Sequence, residues 1–212
     1  MISRWLAGLL GCALVAAAGA ADAPLYANDF EKTEPGKLPE ELLVLGGEFA
    51  VKRDGTNQFL ELPGAPLDSY GALFGPAEKE DVSVSARILG TAKGRRAPSF
   101  GLGLGGAGGW KLQVAPGKKT VELLKDQEVK ASQPFDWKSG AWTQLRLQLR
   151  KVKDGAWKIE GKAWPAGETE PKEWQISADD AEEPLVGKAS LLGSPFAGTP
   201  IWFDDLVVEK VK

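Results

Sequence analysis

The feature that most constrains the fold of this chain is a strict alternation of apolar and polar residues within short runs. The clearest run extends from Trp142 to Val152, where three leucines alternate with glutamine and arginine residues. The sequence then turns at Asp154-Gly155 and alternates again from Trp157 to Trp164. A period of two places one side of a β-strand in a core and the other side in water. These two runs therefore predict a hairpin of half-buried strands.

Comparable short runs recur along the chain, separated by Gly, Pro, Asp and Lys residues. No segment combines a helical period with capping residues. Regularly spaced short strands with turn signals between them are typical of an all-β sandwich. The sequence therefore predicts an all-β fold made of two antiparallel sheets.

Residues 1–20 are predicted to be a signal peptide. A cationic start precedes an apolar run from Trp5 to Ala18, and small residues at 18–20 fit cleavage before Ala21. Cys12, the one cysteine of the chain, lies in the apolar run, and a lipid anchor on it is the alternative interpretation. Residues 21–212 would then form a single exported domain, periplasmic or extracellular, without a transmembrane segment.

The chain contains no histidine, and its net charge is only -3. The absence of histidine excludes Ser-His-Asp and Cys-His catalysis and argues against zinc chemistry. A small and dispersed negative charge also argues against nucleic-acid binding, which requires a basic face. Any chemistry must come from carboxylates, lysine, tyrosine or a cation bound by oxygen atoms.

Several segments taken in order resemble the concanavalin A-like lectin/glucanase jelly roll, in the laminin-G-like version of secreted bacterial proteins. The segments that carry this resemblance are Asn28-Asp29-Phe30-Glu31, Gly109-Trp110-Lys111-Leu112, Gly140 to Leu145, Gly161 to Pro165 with Glu170-Pro171 and Trp174, Gly187 to Leu192, and Phe203-Asp204-Asp205. The resemblance implies a two-sheet jelly roll and a role connected with glycans. The Glu-x-Asp-x-x-Glu motif of the glucanase branch is missing. The most similar segment, Glu78-Lys79-Glu80-Asp81, has its acidic residues at the wrong spacing.

Acidic residues near both ends of the exported chain predict a metal site. Secreted sandwiches often pair their first and last strands, and similar sugar-binding jelly rolls hold a cation between these segments. Asp29 and Glu31 would meet Asp204 and Asp205 at such a seam and begin the oxygen shell of one structural calcium ion. The alternative is that one aspartate caps a turn and the other is solvated.

A carbohydrate site is predicted on the polar face of the central hairpin. Its planar hydrogen-bonding groups and aromatic platform would come from Arg146, Gln148, Glu160, Trp164 and Trp174. The alternative is an ordinary solvated face with weak ion pairs. Trp164 and Trp174 would either stack on a sugar or pack on each other.

Three other tryptophans, Trp142, Trp157 and Trp202, are expected in the core. The favoured function is non-catalytic: an exported module that binds a glycan or mediates extracytoplasmic contacts. One alternative is a hydrolase whose carboxylate pair is drawn from Glu122, Glu160 and other residues of the concave face, and another is a purely structural envelope protein. The sequence leaves the oligomeric state open.

Overall fold

The computed structural model describes residues 23–211, so the predicted signal peptide and Cys12 lie outside the described residues. The described chain consists almost entirely of strands joined by turns. The strands are β1 (Tyr26–Asn28), β2 (Leu43–Gly46), β3 (Ala50–Asp54), β4 (Asn57–Leu62), β5 (Tyr70–Glu78), β6 (Val82–Gly90), β7 (Ser99–Leu104), β8 (Trp110–Ala115), β9 (Thr120–Lys125), β10 (Glu128–Pro134), β11 (Trp142–Lys153), β12 (Ala156–Pro165), β13 (Ile176–Asp180), β14 (Gly187–Ser194) and β15 (Ile201–Lys210). One short 3-10 helix, Gly106–Gly108, interrupts them.

The strands form two antiparallel sheets. The larger sheet has the order β13-β12-β11-β6-β15-β4-β3, and β1 also pairs with β15. The smaller sheet has the order β10-β9-β8-β7-β14-β5-β2. The predicted hairpin is confirmed as β11 and β12, which pair from Thr143 opposite Pro165 to Lys153 opposite Ala156.

The inner faces of the two sheets enclose the core. Alternate residues of each strand point inward, as the period of two predicts. Leu145, Leu147 and Leu149 of β11 and Val84, Ala86 and Ile88 of β6 are all buried in it. Burying a side chain of this size stabilises the fold by about 1.5–3 kcal/mol. The predicted all-β, two-sheet antiparallel sandwich is confirmed.

One edge of β15 is shared by two short partners. β4 pairs with residues 201–203 of β15, and β1 pairs with residues 206–208. Between them β15 carries a bulge, at which Asp205 has a positive φ of 50°. The first strand of the described chain and its last strand are therefore neighbours, as the sequence predicted, but with an irregular step at Asp204 and Asp205.

Candidate functional site

The outward side chains of the larger sheet form one continuous surface, here called the polar face. On β11 and β12 the register places Gln144 opposite Trp164, Arg146 opposite Lys162 and Gln148 opposite Glu160. On the other side of β11, Arg146 lies opposite Ser85 of β6. The residues that the sequence analysis selected on this hairpin thus share one face, although a binding role for them stays a prediction.

A network of charged side chains, here called the ionic network, lies near the middle of the polar face. The Arg146 guanidinium donates to Glu209 at 2.9 Å and lies 3.5 Å from Glu170. The Lys162 ammonium is 2.8 Å from the same Glu170 carboxylate and 4.5 Å from the ring centre of Trp174. Lys162 thereby holds Trp174 by a cation–π contact.

Glu160 is the most enclosed carboxylate of this hairpin. It is 6% exposed and accepts hydrogen bonds from Gln148 Nε2 at 2.7 Å and from Arg150 Nε at 3.0 Å. Glu122 cannot be the catalytic partner of Glu160. It lies on β9 of the smaller sheet between Val121 and Leu123, which point into the core, so its own side chain points to the outer face of that sheet. Stacked sheets are about 10 Å apart, so carboxyls on opposite outer faces cannot flank one glycosidic bond. Glu122 and Glu160 therefore cannot serve together as one catalytic pair.

Trp164 and Trp174 do not pack on each other as one interpretation expected. In residues 23–211 neither ring pairs with another aromatic ring. Trp164 is only 8% exposed, whereas Trp174 is half-buried beside Lys162. Trp174 therefore offers more surface to a ligand than Trp164 does.

A second group of aromatic residues on the polar face was not predicted. Trp142 and Trp202 have ring centres 6.4 Å apart, and Phe59 stacks under Trp202 at 4.3 Å. These three residues, here called the aromatic corner, belong to β11, β15 and β4. Of the three tryptophans expected in the core, only Trp157 lies there; Trp142 and Trp202 are half-buried on the outer face.

The sequence did carry a signal for the aromatic corner. Trp142 is separated by an even number of residues from Gln144 and Arg146, and by an odd number from the buried Leu145. Side chains an even number of positions apart in a regular strand point to the same side. Strict use of that rule places Trp142 on the polar face, whereas its hydrophobic character argued for the core.

Arg87 connects the aromatic corner to the seam between the terminal strands. Its guanidinium carbon lies 4.8 Å from the ring centre of Trp142. Its NH2 group donates to Asn57 at 2.7 Å and to Asp204 at 2.6 Å, and its Nε lies 2.9 Å from Asp205. Arg87 therefore provides the positive charge at the step in β15.

The Asp204 carboxylate is almost fully enclosed, with 1% exposure. Besides Arg87 it receives hydrogen bonds from Asn57 Nδ2 at 3.0 Å and from the Asp205 amide at 2.8 Å. Burial raises the pKa of Asp204, although these hydrogen bonds and the charge of Arg87 act in the opposite direction.

The four acidic residues that were predicted to hold calcium contact donors of the protein itself. Asp204 and Asp205 are taken up by Arg87, and the Glu31 carboxylate accepts from the Gln58 amide at 2.7 Å. The Asp29 carboxylate accepts from the Glu31 amide at 3.2 Å, as a turn-forming aspartate does. Within residues 23–211 no three His, Cys, Asp or Glu side chains form a group that could hold a metal ion. A calcium ion at this seam stays a prediction.

A cleft of about 620 Å³ opens along the same seam. It is lined by Ala27, Asn28, Asp29, Lys32, Thr33, Pro39, Glu41, Asp205, Leu206 and Val207. Asn28 Nδ2 donates to Glu41 at 2.9 Å across it. The cleft therefore begins at Asp205, the outer partner of Arg87.

No protein-family model and no curated protein sequence matches the chain. Solved structures do match it. Carbohydrate binding module CBM66 from Bacillus subtilis superposes with a TM-score of 0.55 at 13% identity, over 80% of this chain and 96% of that one. The metal-free carbohydrate recognition domain of Emp46p gives 0.56 at 11% identity, over 89% and 97%. A marine PL-14 alginate lyase from Aplysia kurodai gives 0.57 at 7% identity, over 89% and 99%.

These likenesses establish the fold: the chain adopts the concanavalin A-like jelly-roll sandwich that its sequence resembles. A potassium-bound form of the Emp46p domain also matches, with a TM-score of 0.52 at 11% identity, over 81% of this chain and 89% of that one.

In the described part of this chain, no helix is long and apolar enough to cross a membrane.

Proposed function

We propose that residues 21–212 form an exported, non-catalytic module that binds a glycan on the polar face. The observation that carries this proposal is the aromatic corner. Trp142 and Trp202 are half-buried on the outside of the sheet, next to the guanidinium of Arg87. A sugar ring needs a flat apolar surface for its C–H groups and nearby donors and acceptors for its hydroxyl groups.

The groups beside the aromatic corner supply those donors and acceptors. Gln144 lies opposite Arg87 in the register, and the Trp202 indole is held by the Glu61 carboxylate at 2.9 Å. The corner is thus fixed in orientation before a ligand arrives, which lowers the entropy cost of binding. Two of the similar structures are themselves described as a carbohydrate binding module and a carbohydrate recognition domain.

The proposal is non-catalytic because carboxylates on this face already serve as hydrogen-bond acceptors. Glu160 is bound by Gln148 and Arg150, and Glu170 and Glu209 lie against Arg146. A glycosidase needs one carboxyl group that can donate a proton and a second that can attack or activate water. The carboxylates of this face instead accept hydrogen bonds from neighbouring arginine and glutamine side chains.

A binding assay on a panel of plant, algal and bacterial polysaccharides tests the proposal. Trp142→Ala and Trp202→Ala should each weaken binding by about tenfold or more, as expected for an aromatic contact worth about 1–2 kcal/mol. Arg146→Ala should weaken binding if the ligand extends to the ionic network.

Trp137→Ala is the matched control, because Trp137 is also half-buried but its ring packs on core residue Phe100, 6.3 Å away. Each variant is melted in parallel, so that loss of folding is separated from loss of binding. Equal binding by the wild type and both corner variants would place the site elsewhere. Failure of the wild type to bind any polysaccharide would favour a structural or protein-binding role.

A further inference from the structure

The middle of the polar face carries balanced charges. Its four central strands, β12, β11, β6 and β15, present five outward cations: Arg87, Arg146, Arg150, Lys158 and Lys162. Each of these lies within 4 Å of a carboxylate. The carboxylates involved also number five: Glu160, Glu170, Asp204, Asp205 and Glu209. Among residues 23–211, Lys153 at the exposed end of β11 is the cation of these strands that has no carboxylate within 4 Å.

The pairs differ in exposure: the side chains of Arg146, Glu170 and Glu209 are 30%, 39% and 40% exposed, whereas each of the other four cations belongs to a pair with one nearly enclosed member. The side chains of Asp204, Lys162 and Glu160, counted without their backbone atoms, are 1%, 7% and 8% exposed. An anionic ligand could recruit Arg87 or Lys162 only by displacing a carboxylate from its cation. Leaving a buried charge without its partner is strongly unfavourable.

The remaining groups on these strands suit hydroxyl groups. The uncharged residues are Gln144, Gln148, Ser83 and Ser85. The two serines have short side chains, so they leave space above the centre of the sheet. Paired carboxylate oxygens can still accept hydrogen bonds from sugar hydroxyls, because each has several lone pairs. The face therefore combines neutral polar groups, acceptor oxygens and the apolar rings of the aromatic corner.

From this pairing we infer that the glycan is an uncharged polysaccharide, and that uronate-rich and sulfated chains are excluded. The inference rests on the proposed function and defines the substrate class of the same face. Anionic chains are excluded by the carboxylates that already pair with the cations of this face, above all Glu170 and Glu209, which contact Arg146.

The test uses polysaccharides in matched pairs, each a neutral chain and a charged derivative of the same backbone. Suitable pairs are hydroxyethylcellulose with carboxymethylcellulose and dextran with dextran sulfate, added to the panel above. Binding is measured between about 0.01 M and about 1 M NaCl, which shortens the Debye length from about 30 Å to about 3 Å. Neutral chains should bind with little dependence on salt, and their charged derivatives about tenfold more weakly.

Three outcomes separate the two proposals. Preference for the neutral chain supports both. Tighter, salt-sensitive binding of a charged derivative, lost in Trp142→Ala, overturns the inference but keeps the glycan-binding function. Absence of binding to every neutral and charged chain overturns the function and the inference together.

A charge variant tests the physical cause directly. Glu170→Gln with Glu209→Gln removes two negative charges and frees Arg146, so the ratio of charged to neutral binding should rise about tenfold. The matched control is Glu128→Gln with Asp136→Asn, which changes the net charge equally at two exposed lysine pairs away from the polar face. An unchanged ratio in both double variants would overturn the inference that paired carboxylates exclude anions.

Discussion

Replacing Arg87 with alanine should destabilise the fold strongly, because it leaves a buried carboxylate without a counter-charge. Asp204 is 1% exposed, whereas the Arg87 side chain is 27% exposed. Breaking a buried ion pair by removing one partner costs about 3–5 kcal/mol. We expect a loss at the lower end of this range, about 3 kcal/mol of unfolding free energy. The reason is that Arg87 is partly exposed to solvent and that Asn57 still donates a hydrogen bond to Asp204 in the variant. For a chain of this size that loss corresponds to a decrease of about 6–12 °C in Tm.

The loss in Arg87→Ala should also depend on pH in a defined direction. Burial raises the pKa of Asp204 above its ordinary value of 3.8, and removal of Arg87 removes one of the effects that oppose this rise. A carboxyl group with a raised pKa in the folded state favours folding when protonated and loses that contribution as pH rises. Urea unfolding should therefore show a large deficit near neutral pH that narrows as pH falls toward the ordinary pKa.

The companion variant Asp204→Asn separates the charge from the packing of Arg87 on Trp142. In the Arg87→Ala background, Asp204→Asn should recover most of the lost stability, because the amide needs no counter-charge. The single variant Asp204→Asn should cost only about 1 kcal/mol, since Arg87 keeps Asp205 as a partner. A deficit that is independent of pH and is not recovered by Asp204→Asn would refute the reasoning and assign the effect to the Trp142 contact.

Three further outcomes are expected. Chelator and added calcium should leave the Tm of the purified domain unchanged, and a clear decrease with chelator would restore the predicted calcium clamp. Burial raises the pKa of Tyr26 to about 12. The variant Tyr70→Phe leaves Tyr26 as the only tyrosine, so its phenolate absorbance should rise at about pH 12. The stability linked to Tyr26 should persist below pH 10 and decline as pH rises through about 12. Burial alone would raise the pKa of Asp180, but hydrogen bonds from Lys125 and other donors lower it. The stability linked to Asp180 should therefore be present above pH 3.8 and decline in stronger acid. In Asp180→Asn, the free energy of unfolding should fall less steeply as pH is lowered through this range.

Much of the fold followed from the spacing of residues along the chain. The alternation in β11 and β12 correctly predicted a hairpin with Arg146, Gln148 and Glu160 on its polar side. The pairing of β1 with β15 was also predicted correctly, from acidic residues in both segments and from the frequent pairing of first and last strands in such sandwiches. The hairpin depends on local periodicity, which is visible in a single sequence.

The partners of individual charges did not follow from that spacing. Arg87 reaches Asp204, 117 positions later, only because β6 lies beside β15 in the larger sheet. The bulge at Asp205 further alters the register, so that neighbouring aspartates both contact one guanidinium. Without the sheet order, the acidic residues suggested a calcium site, and no local pattern indicated that Arg87 would pair with two of them.

The position of β15 has a consequence for how this chain acquires its structure. β15 is an interior strand of the larger sheet, between β6 on one side and β4 and β1 on the other. The sheet therefore cannot close until residues 201–210 have been synthesised and delivered. Until then β6 and β4 present unpaired edges, and every pairing that β15 makes bridges a long stretch of sequence. Such long-range closure is slow and exposes the chain to aggregation while it is incomplete. Closure of the larger sheet once residues 201–210 are available, rather than addition of strands in chain order, is the route that this topology favours.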